Sequence, residues 1–364
     1  MKILHIHASM IGGGIESMVC GLANEMANQG HDVTVCSIYE PKSEHVFWHK
    51  LNDKVKKESL GKTGRGFAMK DFTSIYKYIK NGGFDAVNMH GFFYYYMLPV
   101  MFLHRRVKFF YTVHSDAFEE NQLWDQKVLR VKKLAFRRKW LTPITISDAS
   151  QSSFQRLYNT SSELVYNGVP KPIVKEQSTD VIEQVRITPD TKVLFHAGRI
   201  DKVKNQFVLC SASKRLIKEG YDISLVIAGS NQYPDVYAKI LPFFCDRIQY
   251  IGQRNDIPQL MSESDAMCLS SVYEGLPVTL LEALSVGCVP ICTPVGGIVN
   301  VVKDAQNGFL SASSNEDDYY LALKRYLDST PEEITNIKKN VIESFEKYNI
   351  VNTARQYVEV YKSK

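Results

Sequence analysis

Paired cysteines and metal-binding motifs are missing from this chain of 364 residues. The count of 7 cysteines is odd and no two are spaced as Cys-x-x-Cys, which argues against a disulfide framework or a zinc site and favours a reducing compartment. No Asp-x-Asp sequence occurs, and no cluster of His, Cys and carboxylate residues has the spacing of metal ligands. The sequence therefore predicts an activity that uses neither a metal nor a bound cofactor.

A long apolar run is also missing. The longest, at residues 92–103, contains Pro99 and is too short to cross a bilayer, so it predicts a buried helix. The apolar start of the chain has some features of a signal peptide, but His5, His7 and the glycines that follow favour a first β-strand and a turn. These features predict a cytoplasmic protein.

Positive charge is concentrated in the first half of the chain. Residues 1–170 hold 22 Lys and Arg against 15 Asp and Glu, a net charge of +7, whereas residues 171–364 hold 22 against 24, a net charge of −2. A basic half beside a nearly neutral one indicates that the first half contacts something anionic.

Residues 124–141 form the most basic segment, with seven cations, one acid and three aromatic residues. Lysines interrupt its apolar face, so its amphipathic character is only fair. The segment is either an ordinary solvated helix or a helix that contacts an anionic membrane surface or a lipid-linked phosphate, which would make the protein peripheral at the cytoplasmic membrane face. No recognised nucleic-acid-binding module occurs, so nucleic acid is not an expected partner.

Strand-like apolar runs alternate with helix-like segments in both halves of the chain, and the polar, proline-containing stretch 171–190 is the expected linker. Strands that lack polar alternation, between amphipathic helices, indicate parallel sheets covered on both faces. The sequence therefore predicts an α/β protein with two Rossmann-like, doubly wound domains, residues 1–170 and 171–349, that face a central cleft. The strands are expected at 3–8, 33–38, 85–89, 108–113, 142–147, 164–166, 193–197, 223–228, 248–251, 266–269 and 289–292, and helices at 15–28, 205–219, 234–244, 277–286 and 316–328.

Two cations stand in the loop that follows the predicted strand at 193–197. Arg199 comes directly after Gly198, and Lys204 follows five residues later, just before a predicted helix. A helix N-terminus leaves backbone N–H groups unpaired, and Arg and Lys beside it would complete a cradle for a diphosphate. In such a site the cations stabilise the charge that builds on a leaving diphosphate. Ordinary surface cations in a solvated loop are the alternative.

A second motif places the turn Gly275-Leu276-Pro277 directly before a predicted helix, with Glu274 and Glu282 on either side of the turn. On helix geometry these carboxylates cannot lie side by side as an acid–base pair, so they fit better as clamps on two parts of an elongated ligand. Glu282 could simply face solvent, but its apolar neighbours indicate that its carboxylate needs a partner or a ligand. Together with the cations, this motif indicates a site for a nucleotide-diphosphate sugar.

Two further candidates lie in the first half. Gly13 and Gly14 follow the first predicted strand and would permit close approach of the backbone to a phosphate or a sugar. A plain tight turn, or an imperfect dinucleotide fingerprint with Ser17 at its third position, are the alternatives. His114 ends the predicted strand at 108–113, and doubly wound domains place ligands at the carboxyl ends of their strands. His5 and His7 alternate along the first strand and are interpreted as structural.

These motifs, in this order and spacing, resemble retaining glycosyltransferases of family 4, which have the GT-B fold. The resemblance covers essentially the whole chain. Its anchors are Gly12 to Glu16, Val113 to Ser115, Asn167 to Pro170, Gly198 to Asn205, Ile227 to Gly229, Ile251-Gly252 and Glu274 to Glu282, the last matching the E-x7-E element of the family.

The resemblance implies a role for each candidate. The implied catalytic residues are Arg199, Lys204, Glu274 and His114. Arg199 and Lys204 would hold the donor diphosphate. Glu274 and the backbone of Gly275, Leu276 and Pro277 would hold the donor sugar, and Glu282 would bind the ribose. His114 would touch the sugar from the other domain, Gly13 and Gly14 would lie near the distal phosphate, and Gln253 and Arg254 would lie near the nucleobase.

Two further features belong to the same resemblance. Asp256 would contribute near the nucleobase, although a role as the N-cap of a helix that starts just before Pro258 explains it equally well. The last helix, about residues 350–364, would pack back onto the first domain.

The function that the sequence predicts is transfer of a hexose-type sugar, from a UDP or GDP donor, to a glycan or lipid-linked acceptor in the assembly of surface polysaccharide. Retention without a metal fits a front-face route, because no protein nucleophile is identified. A dinucleotide-dependent oxidoreductase and a catalytically silent protein that binds sugar nucleotides are the alternatives.

Overall fold

The computed structural model describes residues 1–11, 13–40, 46–64, 68–91, 94–104, 106–121, 126–175 and 179–364. The chain divides into two compact units. The first contains Met1–Pro170 together with Tyr348–Lys364, and the second contains Lys171–Lys347. The last helix therefore belongs to the first unit.

The first unit is built on a seven-stranded sheet in the order β3-β2-β1-β4-β5-β6-β7, and all of its strand pairs are parallel. The strand order changes direction between β1 and β4, and the carboxyl ends of strands at such a point are where doubly wound sheets bind ligands. The strands are β1 (Lys2–His7), β2 (Asp32–Tyr39), β3 (Lys56–Lys62), β4 (Ala86–His90), β5 (Lys108–Val113), β6 (Thr142–Thr145) and β7 (Glu163–Leu164).

The helix at the C-terminus packs on the same unit, beside the first helix. Its Tyr361 hydroxyl accepts a hydrogen bond from Asn88 Nδ2 at 2.8 Å, and the Tyr361 ring lies against Phe110 with ring centroids 4.5 Å apart. The helices of this unit are α1 (Gly14–Asn28), α2 (Met69–Gly82), α3 (Tyr94–Leu103), α4 (Ala117–Asn121), α5 (Gln126–Arg137), α6 (Asp148–Tyr158) and, after those of the second unit, α15 (Ile350–Ser363).

The second unit has a six-stranded sheet in the order β10-β9-β8-β11-β12-β13, again with parallel pairs. Its strands are β8 (Lys192–Ala197), β9 (Ile223–Ala228), β10 (Ile248–Tyr250), β11 (Ala266–Leu269), β12 (Val289–Cys292) and β13 (Phe309–Leu310). Its helices are α7 (Asp180–Val185), α8 (Gln206–Lys218), α9 (Pro234–Ile240), α10 (Ile257–Glu263), α11 (Val278–Ser285), α12 (Ile298–Val301), α13 (Glu316–Leu327) and α14 (Pro331–Phe345).

Two parallel-sheet α/β units confirm the predicted fold class. Four central strands are mostly apolar in sequence and are buried along almost their whole length, as expected for strands of a parallel sheet that is covered on both faces. They are β1 and β4 in the first unit and β8 and β9 in the second.

Three local predictions were wrong. The expected linker contains α7, whose Ile182 and Val185 are buried three residues apart on one face of the helix. The helix expected over 234–244 ends at Ile240 and continues as a 3-10 turn that contains Pro242, which has no N–H to extend the α-helix. The helix expected to be buried at 92–103 starts at Tyr94, and its last residues, Phe102 and Leu103, are more than half exposed; residues 92 and 93 lie outside the described residues.

Candidate functional site

The loop after β8 is held tightly against the end of β9. Gly198 N–H donates to the carbonyl of Ala228 at 2.9 Å, and Ile200 N–H donates to the carbonyl of Ser230 at the same distance. Gly229 has a φ of +156°, and a Cβ at this position would lie 1.9 Å from the carbonyl oxygen of Gly198. Only glycine fits there, so the close approach of these two strand ends fixes where the loop begins.

Asp201 organises the two predicted cations. Its Oδ2 accepts a hydrogen bond from Arg199 Nε at 2.9 Å and lies 2.7 Å from Arg199 Nη2. Its Oδ1 accepts from the backbone N–H of Lys204 at 2.9 Å. Asp201 is buried, whereas about half of the Arg199 side chain is exposed. One carboxylate thus aims the guanidinium and shapes the loop while leaving part of the cation open to an anion.

Lys204 reaches the second motif directly. Its Nζ lies 2.6 Å from Glu274 Oε1, and the same oxygen accepts a hydrogen bond from the hydroxyl of Ser271 at 2.6 Å. Glu274 is buried, and Lys204 is partly exposed. The two motifs that the sequence analysis singled out therefore meet in one site within the second unit. A carboxylate oxygen shared by an ammonium group and a hydroxyl is held in a single position.

The turn before α11 is fixed by its backbone. Gly297 N–H donates to the carbonyl of Gly275 at 2.6 Å. Gly296 has a φ of +53°, and a Cβ there would lie 1.6 Å from the carbonyl oxygen of Glu274. Leu276 and Pro277 are buried, and Pro277 is the N-cap residue of α11. The Glu274 carboxylate is therefore presented from a backbone that neighbouring turns hold in place.

Two buried polar residues, His196 and Gln206, support the loop that follows β8. His196 Nδ1 donates to the carbonyl of Cys268 at 2.8 Å, and its Nε2 lies 3.1 Å from Gln206 Nε2, which also donates to the carbonyl of Arg199 at 2.8 Å. Burial lowers the pKa of His196 to about 4, so its ring is neutral at pH 7 and Nε2 accepts from the glutamine. These contacts connect β8, β11 and α8 beneath the cation loop.

Sequence reasoning missed four supporting residues of this site. Asp201 stands between the two cations in the motif, and a carboxylate at that position was a signal that could have been used. The contacts of Ser271, His196 and Gln206 depend on tertiary packing, and no sequence pattern pointed to them.

Arg254 lies in a separate part of the second unit. Its Nε and Nη2 donate to the two carboxylate oxygens of Asp256 at 2.9 and 2.6 Å, and this bidentate pair raises the pKa of the guanidinium and lowers that of the carboxyl. Asp256 is the N-cap residue of α10, but its side chain makes no capping hydrogen bond. The predicted N-cap position of Asp256 is therefore confirmed, but its carboxylate is engaged by Arg254 and does not cap the helix.

Glu282 lies on α11, eight residues after Glu274. The side chains on either side of it, Leu281 and Ala283, are buried, whereas Glu282 is partly exposed. The apolar neighbours of Glu282 are therefore buried on other sides of the helix, and Glu282 itself is only partly covered. Its role in holding a ligand stays a prediction.

In the first unit, the glycine loop leads from β1 into α1. Gly13 is the N-cap residue of α1 and Gly14 is its first residue; Gly12 lies outside the described residues. A Cβ at Gly13 would lie 2.8 Å from Glu16 Oε2, and Glu16 Oε1 lies 3.4 Å from His7 Nε2. The loop is thus packed against an acid that pairs with a histidine at the end of β1.

His114 is part of a row of histidines on one face of the sheet. Its Nε2 lies 2.9 Å from His90 Nδ1, and His90 Nε2 lies 3.0 Å from His5 Nδ1. His7 Nδ1 donates to the carbonyl of His90 at 2.7 Å. Burial lowers the pKa of His5 and of His114 to about 3 and that of His90 well below its usual value. His114 is partly exposed at the end of the row, whereas His90 and His5 are buried.

The basic segment forms α5, but one of its lysines faces inward. Lys132 is fully buried; its Nζ donates to Asn121 Oδ1 at 3.1 Å and lies 4.8 Å from the centroid of the Tyr111 ring. Burial lowers the pKa of Lys132 and raises that of Glu120, to which the Tyr111 hydroxyl donates. The inclusion of Lys132 among the cations available to a membrane was therefore wrong. Residues 124 and 125 lie outside the described residues.

The described part of the chain contains neither a cluster of metal ligands nor a helix that could span a membrane. There, no three or more His, Cys, Asp or Glu side chains are placed to hold a metal ion together. Among the same residues, every helix is too short or too polar to cross a membrane.

The geometry of the second unit suits an anionic, hydroxyl-bearing ligand. A half-exposed guanidinium, a partly exposed ammonium group and the N-terminal end of α8 all lie in or next to one loop. Such groups bind phosphate oxygens, and Arg can do so through two parallel hydrogen bonds. The carboxylate of Glu274 at the same place can accept hydrogen bonds from sugar hydroxyls.

Two family models match the chain and together span most of it. "Glycosyltransferase Family 4" matches residues 12–171, and "Glycosyl transferases group 1" matches residues 177–344. Among curated proteins, the chain is 24% identical to the UDP-Gal:alpha-D-GlcNAc-diphosphoundecaprenol alpha-1,3-galactosyltransferase of Escherichia coli, over 99% of this chain and 96% of that protein. It is also 26% identical to an uncharacterized glycosyltransferase of Methanocaldococcus jannaschii, but that match spans only 60% of this chain and 59% of the archaeal protein.

A third relative is the capsular polysaccharide biosynthesis glycosyltransferase CapH of Staphylococcus aureus, which is 24% identical over 100% of this chain and 99% of that protein. Among solved structures, the HepE protein of Anabaena in complex with UDP and glucose superposes with a TM-score of 0.82 at 19% identity, over the full length of both chains. WaaG, a glycosyltransferase involved in lipopolysaccharide biosynthesis, superposes with a TM-score of 0.72 at 15% identity, again over both full lengths. These superpositions show a common fold.

Proposed function

This chain belongs to the glycosyltransferases of family 4, and from that premise we propose that it moves a sugar from a nucleotide-diphosphate sugar to a glycan or lipid-linked acceptor with retention of anomeric configuration. The observation that carries this proposal is the meeting of the two motifs in the second unit, where Lys204 Nζ lies 2.6 Å from Glu274 Oε1 and Asp201 aims Arg199 beside them. Cations suited to a diphosphate and a carboxylate suited to sugar hydroxyls then lie together in one site.

The second unit binds the donor in this proposal. Arg199 and Lys204 hold the diphosphate and neutralise the negative charge that develops on it as the glycosidic bond breaks. Glu274 and the backbone of the Gly275-Leu276-Pro277 turn hold the sugar, while Glu282 binds the ribose. Arg254 lies near the nucleobase with its guanidinium held by Asp256.

In this proposal the first unit binds the acceptor and also contacts the donor. His114 contacts the donor sugar, and Gly13 and Gly14 lie near the distal phosphate, where a backbone without side chains permits close approach. The burial that lowers the pKa of His114 to about 3 keeps its ring neutral at pH 7, so it acts as a hydrogen-bonding group and not as a cation.

The reaction proceeds on one face of the sugar. The bond from the anomeric carbon to the diphosphate oxygen breaks, and the acceptor hydroxyl oxygen bonds to the same carbon from the same side. The acceptor proton passes to the departing diphosphate oxygen, so no protein base or nucleophile is required. Arg199 and Lys204 supply the electrostatic stabilisation that a divalent cation supplies in other transferases, and the reaction needs no metal.

The acceptor is proposed to be a lipid-linked or polymeric glycan of the cell surface. The E. coli relative acts, by its name, on a sugar joined to diphosphoundecaprenol, and the S. aureus relative is named for capsular polysaccharide biosynthesis. Both matches span nearly the whole of each protein, which supports the same class of acceptor here.

A surface of the first unit suits an enzyme whose acceptor sits in a membrane. We define the basic–aromatic patch as Phe102, Leu103, Trp140 and the exposed side of α5. The ring centroids of Phe102 and Trp140 lie 5.7 Å apart, and about half of each residue is exposed. Its exposed apolar and cationic residues on and after α5 are Val131, Leu134, Arg130, Arg137, Arg138 and Lys139. Apolar side chains flanked by cations favour contact with an anionic lipid surface.

The proposal is tested by measuring the thermal unfolding of the protein with a panel of UDP-sugars, GDP-sugars, NAD and NADP. A ligand that binds only the folded state raises the midpoint, so one of the sugar nucleotides is expected to raise it and the dinucleotides are not. A shift with NAD or NADP alone would indicate an oxidoreductase instead. The anomeric configuration of the product, read by NMR, tests retention, and a shift without product would indicate a silent binding protein.

A further inference from the structure

Three histidine side chains form a continuous hydrogen-bonded row across three neighbouring strands of the first unit. His5 lies in β1, His90 ends β4, and His114 follows the last residue of β5. The nitrogen–nitrogen distances are 3.0 Å from His5 Nδ1 to His90 Nε2 and 2.9 Å from His90 Nδ1 to His114 Nε2. Both lie within hydrogen-bond range, and in each contact one nitrogen must donate and the other accept.

The three rings are neutral at pH 7 because burial lowers all three pKa values far below neutrality. A neutral imidazole has one N–H donor and one acceptor nitrogen. His90 therefore donates to one neighbour and accepts from the other, and all three rings must carry their protons on the same kind of nitrogen. Either every ring has its proton on Nδ1 and the row donates toward His114, or every ring has it on Nε2 and the row donates toward His5.

The inner end of the row decides between these two arrangements. Nε2 of His5 is buried and has no hydrogen-bond partner among the described residues. In the second arrangement this atom would be an N–H donor left without an acceptor inside the protein. In the first arrangement Nε2 of His5 is an acceptor whose lone pair is unused. Orphaned buried N–H groups are rarer in proteins than acceptors with unused lone pairs, so the first arrangement is favoured.

The outer end of the row is His114, which is partly exposed. Its Nε2 is engaged by His90, so Nδ1 is the nitrogen left for a ligand. The other titratable groups around the row are His7, which donates to the His90 carbonyl, and Glu16, which pairs with His7.

We propose that His90 and His5 are positioning residues that lock His114 as the neutral Nδ1–H tautomer, so that it presents a hydrogen-bond donor to an oxygen of the donor sugar. This inference rests on the proposed function for the identity of the ligand, but not for the tautomer itself. In a sugar site a fixed donor gives specificity, because it donates to a hydroxyl or ring oxygen and offers no acceptor to a competing N–H group.

The tautomer is measured by long-range nitrogen–proton NMR of full-length protein labelled with ¹⁵N-histidine, without any substrate. His114 is expected as the Nδ1–H form. In His90→Leu, which removes the donor to Nε2, the His114 signals are expected to move toward the Nε2–H form that is common for histidine in water. In His90→Asn the side-chain amide takes the place of Nδ1–H, so the wild-type tautomer is expected to persist. His49→Leu, at an exposed histidine outside the row, is the matched control and leaves the signals unchanged.

Transfer kinetics give the second readout. His90→Leu is expected to lower kcat by about tenfold with less change in KM, and His90→Asn to stay within about threefold of wild type. An Nε2–H form of His114 in the wild-type protein, or the same tautomer in wild type and His90→Leu, would overturn the inference even if His90→Leu folds poorly, because the first result needs no variant. Failure of every sugar nucleotide to bind would instead contradict the proposed function and leave the NMR result standing.

Discussion

Lys204 and Glu274 form an ion pair, with Nζ 2.6 Å from Oε1, although 70 residues separate them in the chain. The pair joins the loop after β8 to the turn before α11. In the absence of a ligand, the carboxylate partly neutralises the ammonium group. A bound diphosphate would compete for the same cation, and the carboxylate would then be available to the hydroxyls of the sugar. Lys204 and Glu274 can therefore bind the same nucleotide sugar, the lysine through its diphosphate and the glutamate through its sugar.

Removal of either cation is expected to lower turnover and leave the fold intact. For Arg199→Ala or Lys204→Ala we expect turnover to fall about 100-fold or more, on the order of 3 kcal/mol of lost charge stabilisation in the transition state. Steady-state kinetics measure the effect. Lys202→Ala is the matched control, since Lys202 is an exposed cation of the same loop. Turnover of both variants within about threefold of that control would rule out the role.

The backbone beneath Glu274 gives a second test. Gly296→Ala would bring a Cβ to within 1.6 Å of the Glu274 carbonyl oxygen and is expected to displace the turn and to lower transfer activity as strongly as Lys204→Ala does. Gly220→Ala is the control, because Gly220 also has a positive φ, +94°, but no atom lies within 4 Å of the position that its new methyl group would take. Both variants share the cost of the left-handed backbone, roughly 1–2 kcal/mol, so the difference in activity and unfolding midpoint isolates the clash. Equal behaviour of the two variants would count against this account of the turn.

Removal of divalent cations is expected to leave activity unchanged. Arg199 and Lys204 both have side-chain cations at the proposed diphosphate site, and they can carry the stabilisation that a metal would otherwise provide. Initial rates are to be compared before and after dialysis against EDTA. Loss of activity that Mg²⁺ or Mn²⁺ restores would contradict the metal-free route, whereas loss that neither metal restores would point to damage by the treatment.

The attachment of α15 to the first unit is testable through stability. Tyr361→Phe removes the hydroxyl that accepts from Asn88 in a fully buried place and is expected to lower the free energy of unfolding by about 1–3 kcal/mol. Denaturant unfolding measures it. Glu359→Gln, at an exposed position of the same helix, is expected to change the stability by less than about 0.5 kcal/mol. An equal effect of both substitutions would show that the hydrogen bond contributes little.

The central strands could be predicted because they are buried on both faces and their sequences are mostly apolar. β3 could not, because it is the polar edge strand of its sheet and its first three residues are exposed. α7 could not be predicted either, because it has only 6 residues and only Ile182 and Val185 among them are buried. The sequence pattern thus identified the buried central strands and missed the polar edge strand β3 and the short helix α7.

The candidate site, too, could be predicted from the sequence only in part. The cations and carboxylates were found because their residue types and spacing already suit a sugar nucleotide. The direct contact of Lys204 with Glu274, and the inward direction of Lys132, depend on packing between distant segments. A lysine in a basic helix is ordinarily solvated, but the acceptor on Asn121, the Tyr111 ring and the nearby Glu120 make burial of Lys132 tolerable.

The burial of Lys132 changes how membrane contact through the basic–aromatic patch must be tested. Substitution of Lys132 would remove a buried partner of Glu120 and is expected to lower stability, so it says nothing about lipid. The informative variant instead replaces four exposed cations by Gln, each of which contributes about 1 kcal/mol near an anionic surface. These are Arg130, Arg137, Arg138 and Lys139.

We expect the wild-type protein to sediment with anionic liposomes at low salt, to be released as salt screens the attraction, and to bind neutral liposomes weakly. The fourfold Gln variant should lose most of the binding to anionic liposomes and keep its response to the donor nucleotide, since the donor is proposed to bind in the other unit. A control with the same change in charge replaces four exposed lysines elsewhere in the first unit, namely Lys54, Lys57, Lys70 and Lys77. If both variants lose binding equally, net charge and not the patch is responsible. If the wild-type protein sediments equally with anionic and neutral liposomes at low salt, α5 is only a solvated helix and the acceptor need not lie in a membrane.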